Sequence, residues 1–319
     1  MKVVIFSSDY EKSTNQVIDW LANYHIDTIR LNCYDDFFKL FGGITLNEEG
    51  IRIKNETEEF VGIWYRRQGV TYVSSELNSS DISYQVKRHL KEELDTLFQF
   101  CFDQLSLYSK KKLGSTKGSR LNKLNVLLAA KKVGLLFPKT MITMNKRLLS
   151  PFLAEENELI TKPISEAAHF TGKNKQPYAI YTEKYTHNMN ETNTPNFFPS
   201  LFQKNIKKEY EIRTYYMKGN CYSMAIFSQQ SEMSKTDFRV YDTESQVRYV
   251  PYILPENIEK KVFALMSLLE LDEGSLDFIK TVDGKIVFLE VNPAGQFGMV
   301  SRPCNYYLEE KIARYFAQP

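Results

Sequence analysis

Runs and alternations of apolar residues divide the 319-residue chain into short strands and amphipathic helices. Residues 2–7 and 27–31 read as buried strands flanking a helix around 13–24, the strand–helix–strand opening of an α/β fold. Residues 61–65 form another strand, which ends in Arg66 and Arg67, and a long amphipathic helix follows over 80–102. Residues 108–120 are polar, with Lys110, Lys111, Lys112, Gly114 and Gly118, and read as a connector. A helix over 120–133, closed by Gly134, leads into a strand over 135–141 in which Pro138 marks an edge or a start. Residues 158–163 are a short strand, 165–176 have the small polar composition of a loop, and 178–182 and 200–203 are strands. The alternating stretches 209–217 and 221–228 are joined by Lys218-Gly219-Asn220, a hairpin signal. A helix over 255–269, a hairpin over 276–292 and a helix over 306–316 complete the chain. The first third is therefore α/β, and the rest is α+β, antiparallel hairpins interleaved with helices.

The last hairpin carries the most chemistry. A two-residue turn at Asp283-Gly284 sets Val282 opposite Lys285 and, counting outward, Asp277 opposite Glu290. Paired carboxylates repel, and the flanking Phe278, Phe288, Leu289 and Val291 imply a buried sheet where the repulsion is worse. A divalent cation would turn that conflict into a binding site. Asn292 lies two residues past Glu290 on the same face and adds a third oxygen. Such hard ligands suit Mg²⁺ with bound phosphate better than zinc or copper. A protonated, ion-paired or solvent-facing carboxylate is the alternative; three oxygens converging favour the metal.

Charge and composition narrow the classes. The 41 basic and 39 acidic residues leave a formal net charge of +2, no footprint for nucleic acid. With 20 Tyr and 21 Phe the chain packs a core rather than remaining disordered. Cys33, Cys101, Cys221 and Cys304 are far apart with no metal-ligand spacing, and reduced thiols in the cytoplasm account for them most simply. The opening Met1–Ser7 is a short strand rather than a signal peptide, and no apolar run reaches membrane-spanning length. His25, His89, His169 and His187 are scattered, against a zinc site.

Neither a Walker A loop nor a G-x-G-x-x-G turn is present: in residues 114–119 Lys117 precedes the second glycine, and no apolar strand leads in. A nucleotide would have to be held by side chains. Lys162, at the end of an apolar strand before Pro163, is a sheltered point charge suited to phosphate, or else a solvated strand-end lysine. Lys123 is a second candidate on the preceding helix, or a solvent-facing helix lysine. Glu211 and Arg213 share a strand face and are either site residues or a plain surface ion pair. Arg213 and Arg239 reaching one cleft would stabilise charge on a transferring phosphoryl group. Tyr210, Tyr215, Tyr216 and Tyr222 read as sheet packing.

The ordered set Lys123, Lys162-Pro163, residues 202–206, Glu211-Ile212-Arg213, Asp237-Phe238-Arg239, Asp277-Phe278 and Glu290-Val291-Asn292-Pro293 resembles an ATP-grasp ligase from about 115 to 300. With residues 63–67 included, the chain resembles the graspetide synthetases, the microviridin-type ligases and grasp-with-spasm peptide maturases. The resemblance implies an N-terminal α/β pre-ATP-grasp domain over 1–112, a central ATP-grasp lobe over 113–200 and a C-terminal lobe over 201–319. It implies ATP clamped between lobes, with Lys123 and Lys162 at the phosphates and adenine side and Gln203 and Ile206 at the hinge edge of adenine. Glu211 competes with Glu209 for the ribose, and residue 204 is Lys where many relatives carry an acid. Asp277, Glu290 and Asn292 would hold two Mg²⁺ ions, and Arg213 and Arg239 would steady an acyl phosphate. The implied reaction phosphorylates an Asp or Glu side chain of a ribosomally made precursor peptide. A Ser or Thr hydroxyl or Lys amine of the peptide then displaces phosphate, closing a macrocyclic ester or amide. The implied partner is that peptide, leader plus core, with the leader docking near 182–196, a segment that otherwise reads as a simple surface loop, and a homodimer through the apolar C-terminal helix. The alternative is a ligase adding a free amino acid to a peptide or protein end, like the ribosomal-protein glutamate ligases; a non-catalytic peptide binder of the same fold is a third reading.

Overall fold

The structure is a computed structural model that describes residues 2–8, 11–33, 36, 40, 42–48, 50–53, 60–66, 82–116, 121–165, 169–171, 177–179, 182–186, 195–228 and 247–318. Its elements run β1 (Lys2–Phe6), α1 (Lys12–Asn23), β2 (Asp27–Leu31), β3 (Ile44–Asn47), β4 (Gly50–Ile53), β5 (Phe60–Tyr65), α2 (Tyr84–Tyr108), β6 (Lys111–Leu113), α3 (Lys123–Lys132), β7 (Thr140–Asn145), α4 (Lys146–Glu156) and β8 (Leu159–Lys162). They continue with β9 (His169–Thr171), β10 (Pro177–Ala179), β11 (Glu183–Tyr185), β12 (Asn196–Lys204), β13 (Lys208–Met217), β14 (Asn220–Phe227), β15 (Arg248–Tyr252), α5 (Glu256–Leu268), β16 (Glu273–Thr281), β17 (Ile286–Asn292), α6 (Gly298–Ser301) and α7 (Leu308–Ala317). No helix among the described residues is long and apolar enough to cross a membrane.

The chain divides into two compact units, one of residues 1–120, 271–273 and 293–319, the other of 121–270 and 274–292. The C-terminal tail thus belongs with the N-terminal residues, a division unlike the three consecutive spans 1–112, 113–200 and 201–319. In the first unit β2, β1, β5 and β6 form a parallel sheet in that order. Strand β6 falls inside the stretch read as a connector, because Lys111–Leu113 extend the sheet beside β5. One sheet face is covered by α2, whose Phe98, Cys101, Phe102 and Leu105 cluster with Val4, Phe6, Leu31 and Ile63. Helix α2 runs past the expected end at 102, and Ser83 caps its start by accepting from the Val86 amide. Phe316 of α7 closes on β5 so tightly that a Cβ on Gly62 would lie 2.5 Å from the Phe316 ring. Tyr24 at the end of α1 donates to Glu310 of α7 at 3.1 Å. Gly114 is required where it stands: its φ is +73°, and a Cβ would meet the Tyr65 carbonyl oxygen at 2.2 Å.

The second unit has two larger sheets, ordered β11-β8-β12-β7 and β15-β14-β13-β16-β17, besides the small β9-β10 ladder. Helix α4 was not anticipated, and Pro151 sits inside it. Burial of Leu149, Phe152 and Leu153 against Leu159 and Phe202 outweighs the missing proline donor, and Asn145 caps the start by accepting from Arg147 N. The strand expected over 135–141 lies instead at Thr140–Asn145; Leu136 makes a single bridge to Val287. Strand β12 is longer than the expected 200–203, and β15 is an edge strand that the pattern did not reveal.

Candidate functional site

Asp277 does face Glu290, by a route the sequence count does not take. Thr281 N donates to the Lys285 carbonyl at 2.9 Å, so the turn is a three-residue loop, with Gly284 at φ +83°. Near the turn Phe278 pairs with Phe288, Ile279 with Val287 and Lys280 with Ile286, a register that alone would set Leu289 against Asp277. A β-bulge between Asp277 and Phe278 then skips Leu289 and restores Asp277 opposite Glu290 and Ser275 opposite Asn292. The longer loop and the bulge each shift the ladder by one residue, in opposite directions. Bulges recur beside active sites because they re-aim side chains; here Leu289 and Glu290 both reach the same cleft.

Each carboxylate has a cation beside it. Arg213 Nη1 of β13 lies 3.5 Å from Asp277 Oδ1, and Lys123 Nζ, in the first turn of α3, lies 3.5 Å from Glu290 Oε2. Both spacings are ionic but longer than a charge-assisted hydrogen bond, and both pairs are largely sheltered. Arg213 Nε and the Ser275 hydroxyl opposite Asn292 are buried with no hydrogen-bond partner among the described residues. No cluster of three or more His, Cys, Asp or Glu occurs among the described residues. Two carboxylates and a carboxamide are therefore too few for an all-protein cage, and fit a Mg²⁺ ion that completes its shell with phosphate and water.

Facing the acids, the cleft is walled by Lys162 of β8, Gln203 of β12, Lys204 to Ile206, and Lys208 and Glu211 of β13. The segment after β12 is tied down by its backbone: Lys204 N donates to Lys139 O and Asn205 N to Glu158 O, both at 2.9 Å. Lys204 Nζ reaches Glu156 at 2.8 Å. That hydrogen bond, with a second from Lys139, holds the Glu156 carboxyl below its usual range. Lys208 donates to Glu211, and both side chains are largely buried.

Gln203 is fully buried, and its orientation is set by a relay. The Thr140 hydroxyl donates to the Pro138 carbonyl at 2.8 Å, so its oxygen is left to accept from Gln203 Nε2, also at 2.8 Å. Gln203 Oε1 then has no partner among the described residues. The cleft thus offers a fixed hydrogen-bond acceptor, the complement of an exocyclic amine such as that of adenine.

Seven of the ten expected site residues meet around this cleft: Lys162, Gln203, Ile206, Glu211, Asp277 and Glu290 line it, and Arg213 reaches it through Asp277. Lys123 lines an adjoining apolar depression shared with Lys162 and Glu290. Asn292 stands on the same ladder opposite Ser275 and is not in the cleft lining. Arg239, Arg67 and much of the 182–196 segment lie outside the described residues. Thr140 and Lys208 escaped the sequence reading, and Pro138 was read only as a strand mark; Thr140 meets Gln203 from 63 positions away, whereas Lys208 lies three residues from its partner Glu211.

No family model matches the sequence, and no curated protein matches it. Solved structures do match along the whole chain. The macrocyclase MdnC of Microcystis aeruginosa MRC, bound with the precursor peptide MdnA, superposes with a TM-score of 0.79 at 23% identity, covering 99% of each chain. A Chryseobacterium gregarium RiPP-associated ATP-grasp ligase, in complex with ADP and a leader and core peptide, gives 0.78 at 21% identity over 99% of this chain and 95% of that one. The ATP-grasp ligase PsnB, complexed with a minimal precursor, Mg and ADP, gives 0.74 at 15% identity over 98% and 96%. The chain has the ATP-grasp fold.

Proposed function

We propose that this chain is an ATP-dependent carboxylate ligase of the graspetide synthetase kind, which closes macrocyclic ester or amide links in a ribosomally made precursor peptide. The observation that carries the reading is the pair Asp277 and Glu290, set face to face by a bulged hairpin in a cleft whose opposite wall presents Lys162 and the Gln203 acceptor. Solved structures of the same fold hold ADP, Mg and precursor peptides, which supports the same ligands here.

In this reading ATP and Mg²⁺ supply the phosphoryl group and the charge neutralisation that turn a poor electrophile, a side-chain carboxylate, into an acyl phosphate. Asp277 and Glu290, with Asn292 beyond them, would hold the metal; Lys162 would hold phosphate oxygens; Gln203 and Ile206 would meet the base. Lys123 and Arg213 would set a positive charge beside each acid before a metal arrives. Arg213, with Arg239, would neutralise charge on the acyl phosphate until a hydroxyl or amine of the peptide displaces it. The β8–β12 and β13–β17 sheets correspond to the two ATP-grasp lobes. A cytoplasmic location belongs to the same reading, because ATP and a newly made peptide meet there.

The test is mass spectrometry of a precursor peptide incubated with enzyme, ATP and Mg²⁺. The wild type should remove one water per link, and Asp277→Asn and Glu290→Gln should each lower the rate by about a hundredfold or more, as expected for loss of a transition-state electrostatic contact. Unchanged dehydration in both variants overturns the metal assignment. A mass gain of one amino-acid residue overturns cyclisation and favours ligation of a free amino acid.

A further inference from the structure

Within the first unit, a cleft of about 460 Å³ opens between the start of α1 and the stretch of residues 296–303 that contains α6. Its volume falls in the range of roughly 300–1,000 Å³ typical of ligand sites. Lys12, Ser13 and Gln16 line one wall, and Gln296, Met299 and Arg302 line the other. Both walls are pinned from behind. Arg30 donates to the carbonyls of Ser8 and Glu11, and the Ser7 and Thr14 hydroxyls share a hydrogen bond of 2.9 Å. On the far side the buried Ser301 hydroxyl accepts from Leu308 N at 2.9 Å and donates to Glu309. Arg302 Nη2 donates to Gln16 Oε1 at 2.8 Å and so links the walls. A cleft shaped in advance loses less entropy when a ligand enters.

The lining carries unmatched positive charge. Lys12 and Arg302 are exposed and make no ion pair among the described residues. Glu11, the acid of the lining, is buried and turned to other donors. Its carboxylate accepts from the Ser13 amide and hydroxyl, and Arg66 Nη2 lies 3.8 Å away. The amide side chains complete the surface. With Gln16 Oε1 engaged by Arg302, Gln16 Nε2 is left to donate, and Gln296 offers both a donor and an acceptor. Donors and acceptors of this kind complement a peptide backbone. Two separate cations match single carboxylates, whereas a nucleoside triphosphate concentrates more negative charge than two exposed cations neutralise.

We infer that this cleft binds an acidic stretch of the peptide substrate, with Lys12 and Arg302 pairing its carboxylates and Gln16 and Gln296 its backbone amides. The inference rests on the peptide-ligase reading and adds residues that recognise the peptide rather than the nucleotide.

Methyl resonances of ¹³C-methionine in the full chain with Mg²⁺·ADP report on the cleft, with Met299→Leu used to assign the Met299 signal. Titration with N-acetyl-triglutamate amide should shift that signal, while N-acetyl-triglutamine amide and inorganic phosphate should leave it in place. In turnover assays, Lys12→Gln combined with Arg302→Gln should raise the KM for the precursor about tenfold, the scale of two partly exposed ion pairs. The loss should fall on KM rather than kcat, with ADP affinity unchanged. A Met299 signal that ignores the glutamate peptide, or that moves as far with the glutamine peptide or with phosphate, overturns the proposal, and this titration of the wild type decides even if the double variant fails to fold. Absence of Mg²⁺·ADP binding by the wild type would instead overturn the ligase reading.

Discussion

At the scale of single residues, the relay from Gln203 through Thr140 to the Pro138 carbonyl decides which group faces the cleft. The Thr140 hydroxyl turns the Gln203 carboxamide nitrogen toward itself and leaves the oxygen without a partner among the described residues, because a hydroxyl that has spent its proton can only accept. In the proposed binding mode adenine would offer an amine there, whereas guanine would offer a carbonyl that meets a second acceptor. Thr140→Val should therefore cut the preference for ATP over GTP by about tenfold, the effect of roughly one unmade buried hydrogen bond, as read by competition between the two nucleotides for binding. Equal discrimination in the variant would show that the amide is oriented by something else. Gln203 was singled out in the sequence through the family resemblance, and it lines the cleft. Thr140 was not, because its partner is 63 positions away.

At the scale of elements, the β16–β17 hairpin shows a correct pairing reached by a wrong count. Asp-Gly marked the turn, and the apolar alternation marked the strands, but neither distinguishes a two-residue turn from a three-residue loop compensated by a bulge. Helix α4 is an element that the apolar pattern did not reveal and that buried side chains stabilise despite Pro151. The join between β5 and α7 is a further case. Gly62 has no special backbone demand, yet a Cβ there would lie 2.5 Å and 2.8 Å from two atoms of the Phe316 ring. Gly62→Ala should destabilise the protein by about 1–3 kcal/mol through overpacking, measured by urea denaturation. Phe316→Ala in the same chain should make the two losses less than additive, and strict additivity would mean that the ring is not what Gly62 accommodates.

At the scale of the whole molecule, burial sets the response to pH. Desolvation pushes the Cys101 and Cys221 thiols up to about 12, and it raises Tyr210 to about 12 with help from Tyr252. Each of these groups is neutral when protonated, so a folded pKa above the unfolded value, 9.0 for Cys and 10.0 for Tyr, favours folding below that value. The contribution is lost as pH rises from about 9 toward 12. The urea midpoint should hold steady from pH 7 to about 8.5 and fall thereafter; a midpoint that rises with alkalinity would contradict it. The sequence alone determined the strand and helix periods, the glycine-marked turns, the spacing of the acidic residues and the resemblance to an ATP-grasp ligase, since these depend on neighbours a few positions apart. Tertiary structure alone decided the bulge that aligns Asp277 with Glu290, the cations set beside them, the Thr140 relay, and the return of residues 293–319 to the N-terminal unit. Each of those joins groups far apart in the chain, and their proximity follows from how whole elements pack rather than from any local pattern.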